Sequence, residues 1–189
     1  MATSTRPKAP DAVRILLRHA DAGARSAWPG SDDWRTLTQL GHAQAAVVAA
    51  RFSGWPIQRV LSSPSLRCRQ TVVPLAQDLS VDVEPCPELT AHARLRDLLL
   101  LLADPETASA VVCTHRETLQ MLFAHLAEPG VGRIEGVSPM EMAATWILYG
   151  TVGGPGPVRL EYLPAAEAVL VSRLADVRES AASRVSGSW

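Results

Sequence analysis

Short apolar runs and apolar residues at helical spacing alternate along most of the chain. Residues 12–18 form a run rich in Val13, Ile15, Leu16 and Leu17, the length of a buried strand. Residues 20–33 break that pattern with Gly23, Pro29, Gly30, Ser31 and three aspartates, which predicts a loop longer than most connections. From Thr38 onward, Leu40, Ala43, Val47, Ala50 and Arg51 read as a helix face, ended by Gly54 and Pro56. Residues 57–62 are strand-like. Ser63 and Pro64 then start a helix through Leu79, which Pro74 is expected to bend or break.

The alternation repeats. Residues 81–83 are the third predicted strand, Pro85 and Pro87 mark a turn, and 92–102 is a leucine-rich helix with charged ends. A fourth strand is expected at 110–114 and a helix at 117–127. After a Gly-rich turn at 130–136, residues 143–149 and 158–163 read as strands joined by a Gly/Pro loop, a hairpin-like pair. Residues 164–179 read as a helix whose Val169, Leu170, Leu174 and Val177 form one stripe expected to pack on the domain, and a Ser-rich polar tail follows to residue 189. No internal repeat is seen. Strands alternating with helices predict an α/β fold with right-handed crossovers and a mostly parallel sheet covered on both faces.

Composition narrows this picture. At 189 residues the chain suits one compact domain, and 47% hydrophobic with 20% charged residues indicates a globular rather than disordered or fibrous chain. Basic and acidic residues stand at 18 against 19, so no overall charge excess serves nucleic acid or an acidic membrane. Lys8 is the only lysine, so every other basic residue is Arg. Either genome composition accounts for that bias, or particular guanidinium forks serve phosphate. Cys68, Cys86 and Cys113 are odd in number and lack CxxC spacing, which argues against a disulfide framework or zinc ribbon and favours a reducing cytoplasm. Residues 1–11 read as a mobile arm, and the apolar run behind them is too short for a signal peptide core. No stretch approaches the roughly 18 apolar residues of a membrane span.

Ligands of doubly covered parallel sheets bind at the carboxyl ends of strands. The first strand ends in Arg18-His19, the second in Ser62 and Ser63 ahead of Arg67, and the fourth in Thr114-His115-Arg116. Two histidines and at least two arginines therefore converge on one rim. Neutral imidazole is a competent nucleophile near neutral pH, and guanidinium groups neutralise phosphoryl oxygens, so the set suits phosphoryl transfer. Singly, each has a plainer reading: His19 as a strand-end histidine bonded to backbone, Arg67 as a solvated helix residue. Their joint placement is what points to chemistry.

At these residues the sequence resembles branch 1 of the histidine phosphatase superfamily, the phosphoglycerate mutase-like family. Its Arg-His-Gly signature is matched by LLRHADAG at 16–23, with Ala20 in place of the glycine. LTQLGHAQA (37–45), VLSSPSLRCRQT (60–71), PELT (87–90) and VVCTHRETL (111–119) follow in the family's order. The compact segment between Thr71 and Val111 and the PELT string are most similar to SixA-type phosphohistidine phosphatases. The resemblance covers roughly residues 12–163 and implies a three-layer α/β/α sandwich, no metal or other cofactor, and hydrolysis in two steps. His19 matches the nucleophile, Arg18 and Arg67 the phosphate ligands, and His115 the second histidine that contacts the phosphoryl group. Glu88 is the positional match for a general acid, with Asp21 and His92 as the other candidates, and a phosphoramidate substrate needs none. Arg116 either grips a second phosphate of a nucleotide or sits in solvent at a helix start.

Rival classes are weaker. No cysteine is followed by Arg six positions on, which sets aside a cysteine phosphatase; Cys113 and His115 lack an evident third and fourth metal ligand. A phosphate-binding module without catalysis is the non-enzyme alternative. Domains of this family can follow a Nudix domain, but no Nudix box precedes Ala12, so this one is expected to stand alone. The expected partner is a phosphorylated protein, a protein phosphohistidine first, or a small phosphorylated molecule second, for which Trp28 and Trp34 are candidate pocket walls.

Overall fold

The computed structural model describes residues 13–135 and 140–163. The first strand, β1 (Val13–Arg18), lies inside a seven-stranded sheet with β2 (Arg59–Ser62), β3 (Val83–Pro85), β4 (Ala110–Thr114), β5 (Gly132–Glu135), β6 (Thr145–Tyr149) and β7 (Val158–Leu163), in the order β3-β2-β4-β1-β6-β7-β5. The pairs β3-β2, β2-β4, β4-β1 and β7-β5 are parallel, and only β6 runs against its neighbours. Helices α1 (Gln39–Phe52) and α2 (Leu66–Leu79) cover one face, α3 (Leu95–Ala103) and α4 (Arg116–Leu126) the other. This is a mixed α/β sandwich of three layers.

Strand alternation separates the two cores. Ile15, Leu17, Val60, Val111 and Cys113 point toward α1 and α2, while Leu16, Leu61, Val112, Trp146 and Leu148 point toward α3 and α4. Because β1, β2 and β4 are parallel neighbours, their carboxyl ends share one rim. The connections that follow them therefore meet there.

Several sequence expectations need correction. The Gly-rich stretch at 130–136 holds β5, a strand read as a turn because Ile134 is its only large apolar side chain. Pro74 does not break α2, which is continuous from Leu66 to Leu79; the ring sits on the half-exposed side while Val72, Leu75 and Ala76 are buried. The buried side of α1 is Gly41, Gln44, Ala45, Val48, Ala49 and Phe52, one position round from the expected face, and Leu40 is exposed. The predicted 81–83 strand begins and ends two residues later, and the 92–102 helix starts only at Leu95. The long first loop contains two short 3-10 turns, Arg25–Ala27 and Asp32–Trp34. The β6-β7 pair is antiparallel, as the hairpin-like pattern predicted. The expected N-terminal arm and the C-terminal helix and tail lie outside the described residues. No helix among the described residues is long and apolar enough to cross a membrane.

Candidate active site

His19 follows directly on β1. Its N–H donates to the Thr114 carbonyl (3.0 Å) and its own carbonyl accepts from Ala143 N–H (3.2 Å), so the residue is pinned between the end of β4 and the approach to β6. The next two residues are fixed from the helical side. Ala20 N–H donates to Thr71 Oγ1 (2.9 Å), whose hydroxyl donates to the Arg67 carbonyl (2.7 Å), and Asp21 N–H donates to Gln44 Oε1 (2.8 Å).

Thr38 completes the clamp. Its backbone N–H donates to the Asp21 carbonyl (3.0 Å), its hydroxyl donates to Asp21 Oδ2 (2.5 Å), and its Oγ1 accepts from Gly41 N–H (3.1 Å) as the cap of α1. A Cβ at Gly41 would lie 2.0 Å from the Asp21 carbonyl oxygen, so only glycine lets the helix approach this closely. The Thr-x-x-Gly spacing of residues 38–41 thus has a mechanical purpose: it immobilises the backbone behind His19.

The His19 ring is 5% exposed. Its Nδ1 lies 2.8 Å from the Ala20 carbonyl oxygen, which can only accept, so the ring proton resides on Nδ1. The Nε2 lone pair then faces the Arg67 Nε–H at 3.3 Å. Burial, followed by the nearby His115, Arg67 and Arg18, lowers the His19 pKa to about 3, while the bond to Ala20 opposes the shift. At neutral pH the ring is uncharged and nucleophilic at Nε2.

His115 caps α4 immediately after β4, and the two imidazole centroids are 5.5 Å apart, edge to face. Arg67 Nη2 donates to His115 Nδ1 (3.0 Å). A guanidinium cannot accept, so the proton of His115 sits on Nε2, which donates to Ser63 Oγ (2.8 Å). Arg67, on the first turn of α2 and only 4% exposed, therefore touches both histidines. Its remaining edge meets Asp32: Nη1 donates to the Asp32 carbonyl, and Nη2 lies 3.0 Å from Asp32 Oδ2.

Arg18 closes the other side. Its Nη1 donates to the Met140 carbonyl, and its Nε is buried with no hydrogen-bond partner among the described residues. Burial first, and then the charge of Arg116, lowers the pKa of this guanidinium, with Glu117 opposing. A cavity of about 420 Å³ joins these groups, and Arg18, His19, Arg67, His115 and Arg116 all line it. It brings two guanidinium-bearing residues, Arg18 and Arg67, and the His19 imidazole onto one space, which can receive a tetrahedral oxyanion.

Of the acid candidates, His92 lines the cavity. Glu88, in the 3-10 turn Pro87–Leu89, is not among its lining residues, and the Asp21 carboxylate is spent on Thr38. Glu117, unremarked in the sequence, does line it. So do Asp32 and Arg35, from the long first loop, whose importance no local pattern signals. Neither Trp28 nor Trp34 does; Trp34 is exposed, and Trp28 Nε1 donates to the Ser31 carbonyl (3.1 Å) within its own loop. Cys113 and His115 are not part of any His/Cys/Asp/Glu group able to hold a metal among the described residues.

Residues 14–92 match the sequence model of the histidine phosphatase superfamily (branch 1). The chain is 30% identical over 140 residues to an 8-oxo-(d)GTP phosphatase of Mycolicibacterium smegmatis, covering 71% of this chain and 43% of that protein. It thus spans less than half the length of that relative. Among solved structures it is similar to the protein histidine phosphatase SixA complexed with tungstate, at 26% identity and a TM-score of 0.61, over 77% of this chain and 93% of that one. A mycobacterial glucosyl-3-phosphoglycerate phosphatase shares the fold at 16% identity and a TM-score of 0.59, over 82% and 99% of the two chains.

Proposed function

Because the chain belongs to branch 1 of the histidine phosphatase superfamily, we propose that it is a metal-independent phosphatase working through a phosphohistidine at His19. The observation that carries this reading is the Nδ1–H bond from His19 to the Ala20 carbonyl, which leaves Nε2 unprotonated on a residue that lines the cavity. In the first step Nε2 attacks phosphorus, the bond to the leaving group breaks, and the leaving group departs with that electron pair. In the second step water attacks the phosphoryl group, the P–N bond breaks, and its electrons return to Nε2 as inorganic phosphate leaves. Arg18 and Arg67 donate to the phosphoryl oxygens, where charge is spread in a loose transition state. His115, held through Arg67 and Ser63, flanks the same oxygens. For an ester substrate, His92 is the group assigned to protonate the leaving oxygen.

A protein phosphohistidine is the first substrate in this reading. Its support is a cavity lined by His19, Arg18 and Arg67, and similarity to a SixA over 93% of that chain. A phosphoramidate can be protonated on its own ring, so the position of Glu88 outside the cavity lining costs this reaction nothing. A nucleotide or other small phosphate ester is the second, supported by Arg116, which is exposed on the cavity wall beside Arg18, and by the 30% identity to the mycobacterial relative. The test is a rate comparison in EDTA between a phosphohistidine-bearing carrier protein and a panel of sugar phosphates and nucleotides, with His19→Ala as control. Preference for the carrier supports the first substrate, preference for a nucleotide supports the second, and activity that EDTA abolishes contradicts the mechanism.

A further inference from the structure

Asp32 is one of two carboxylates, with Glu117, that line a cavity where an anion is to be bound, and it is the one paired to Arg67. It belongs to the 3-10 turn Asp32–Trp34 of the first loop and reaches both its own loop neighbours and the distant Arg67 on α2. Its Oδ1 accepts from Arg35 Nε (2.7 Å) and lies 3.2 Å from Arg25 Nε; its Oδ2 lies 3.0 Å from Arg67 Nη2, and its backbone carbonyl accepts from Arg67 Nη1. Burial pushes its carboxyl up, but the Arg35 hydrogen bond and the charges of Arg67, Arg35 and Arg25 outweigh this and hold it below the ordinary value. The carboxylate is ionised at neutral pH.

The three arginines are used differently. Arg35 spends Nη1 on the Ala22 and Gly23 carbonyls, so it braces the loop and does not present that nitrogen to a phosphoryl group. Arg67 turns one edge to Asp32 and the other to both histidines. The turn itself is tied to the start of α2, because Ser65 Oγ donates to Asp33 Oδ1 (2.9 Å) two residues before Arg67. Loop and helix thus hold Arg67 from opposite sides.

We propose that Asp32 is the positioning residue for Arg67 and the counter-charge of the phosphate cavity. It fixes the guanidinium whose inner edge meets His19 and His115, and it limits the affinity of the arginine cluster for phosphate so that product leaves. This rests on the phosphoryl transfer proposed above. Two opposing effects follow from removing its charge. Chemistry slows because Arg67 is no longer fixed, and anion binding strengthens because a repelling carboxylate is gone.

The test combines steady-state kinetics on an aryl phosphate with calorimetric titration of inorganic phosphate, for the wild type, Asp32→Asn and Asp32→Glu. Asp32→Asn is expected to lower kcat by about 10- to 100-fold, the usual cost of a misplaced catalytic group. It is expected to tighten phosphate binding by roughly threefold, the effect of one unit charge at close range in a well-solvated site. Asp32→Glu keeps the charge, so its phosphate affinity stays at the wild-type level while kcat recovers only in part. An unchanged kcat in Asp32→Asn overturns the proposal, and so does phosphate binding that weakens in step with activity, which is what a merely structural role gives. If the wild type turns over no phosphate ester, or turns it over as well as His19→Ala does, the phosphatase reading fails instead, and the titration still decides the role of Asp32 as counter-charge.

Discussion

The ends of β1 and β4 each deliver a buried histidine to the same cavity, yet the two rings are held in opposite ways. His19 gives its Nδ1 proton to a backbone carbonyl and keeps Nε2 as a lone pair. His115 has Nδ1 occupied by Arg67 and passes its proton from Nε2 to Ser63. Residue type is therefore not what separates the proposed nucleophile from the proposed support. The partner on the far nitrogen separates them, since a carbonyl can only accept and a guanidinium can only donate.

Substitutions sharpen this contrast in order of effect. Replacing His19 with Ala should reduce turnover of an aryl phosphate by on the order of 10⁴-fold, because the proposed nucleophile is removed. If the His115→Ala protein loses more, the assignment of the two rings is reversed. Arg67→Ala should cost on the order of 10³-fold in kcat, at the upper end for loss of one transition-state donor, with each histidine also losing one hydrogen bond. His115→Asn should cost about 10²-fold, the lower bound for a group that only stabilises charge or transfers a proton. A loss equal to that of His19→Ala would contradict the division of labour.

Acid stability separates the rings in another way. The folded-state pKa of His19, about 3, lies below the unfolded value of about 6.5, so the unfolded chain takes up the proton first. Stability from this residue is complete above pH 6.5 and is lost as pH falls toward 3, by on the order of 1 kcal/mol per unit in that window. Denaturant midpoints of His19→Gln measured between pH 7 and pH 4 should show a shallower slope than wild type; an identical slope means the imidazole is not buried uncharged. The smallest change is expected from Ser63→Ala, which removes one hydrogen bond to His115 and should lower kcat by about threefold to tenfold, consistent with a net hydrogen-bond worth near 1 kcal/mol.

The residues around the two histidines also show what a sequence reveals. Arg18, His19, Arg67 and His115 were legible because each lies at or shortly after the end of a buried strand, and parallel order brings those strand ends together. Asp32 and Arg35 were not, because they lie in a loop whose path is set by contacts with α2 and with backbone carbonyls. Glu88 was chosen by position after the third strand, and only the three-dimensional path of that turn shows that it does not line the cavity. The missed strand β5 has the same cause: its pairing with β7 is a distant contact, and its own four residues carry little β-forming pattern. In α1, alanines lie on several sides, so the buried face is set by Phe52 and by the close approach at Gly41 rather than by apolar spacing. The arginine excess was similarly ambiguous. Arg14 is as buried as Arg67, but it is spent on Thr107 Oγ1 and the Asp104 carbonyl at the opposite end of β1.

The most direct test of the central claim is to trap the covalent intermediate. The enzyme is mixed with a phosphorus-labelled aryl phosphate, quenched in alkali within a turnover, and mapped by peptide mass spectrometry. The predicted result is an alkali-stable, acid-labile phosphoryl group on His19, absent from His19→Gln and formed and lost at rates that account for turnover. Full turnover with His19 unmodified throughout, or a phosphoryl group carried on His115 instead, would contradict it.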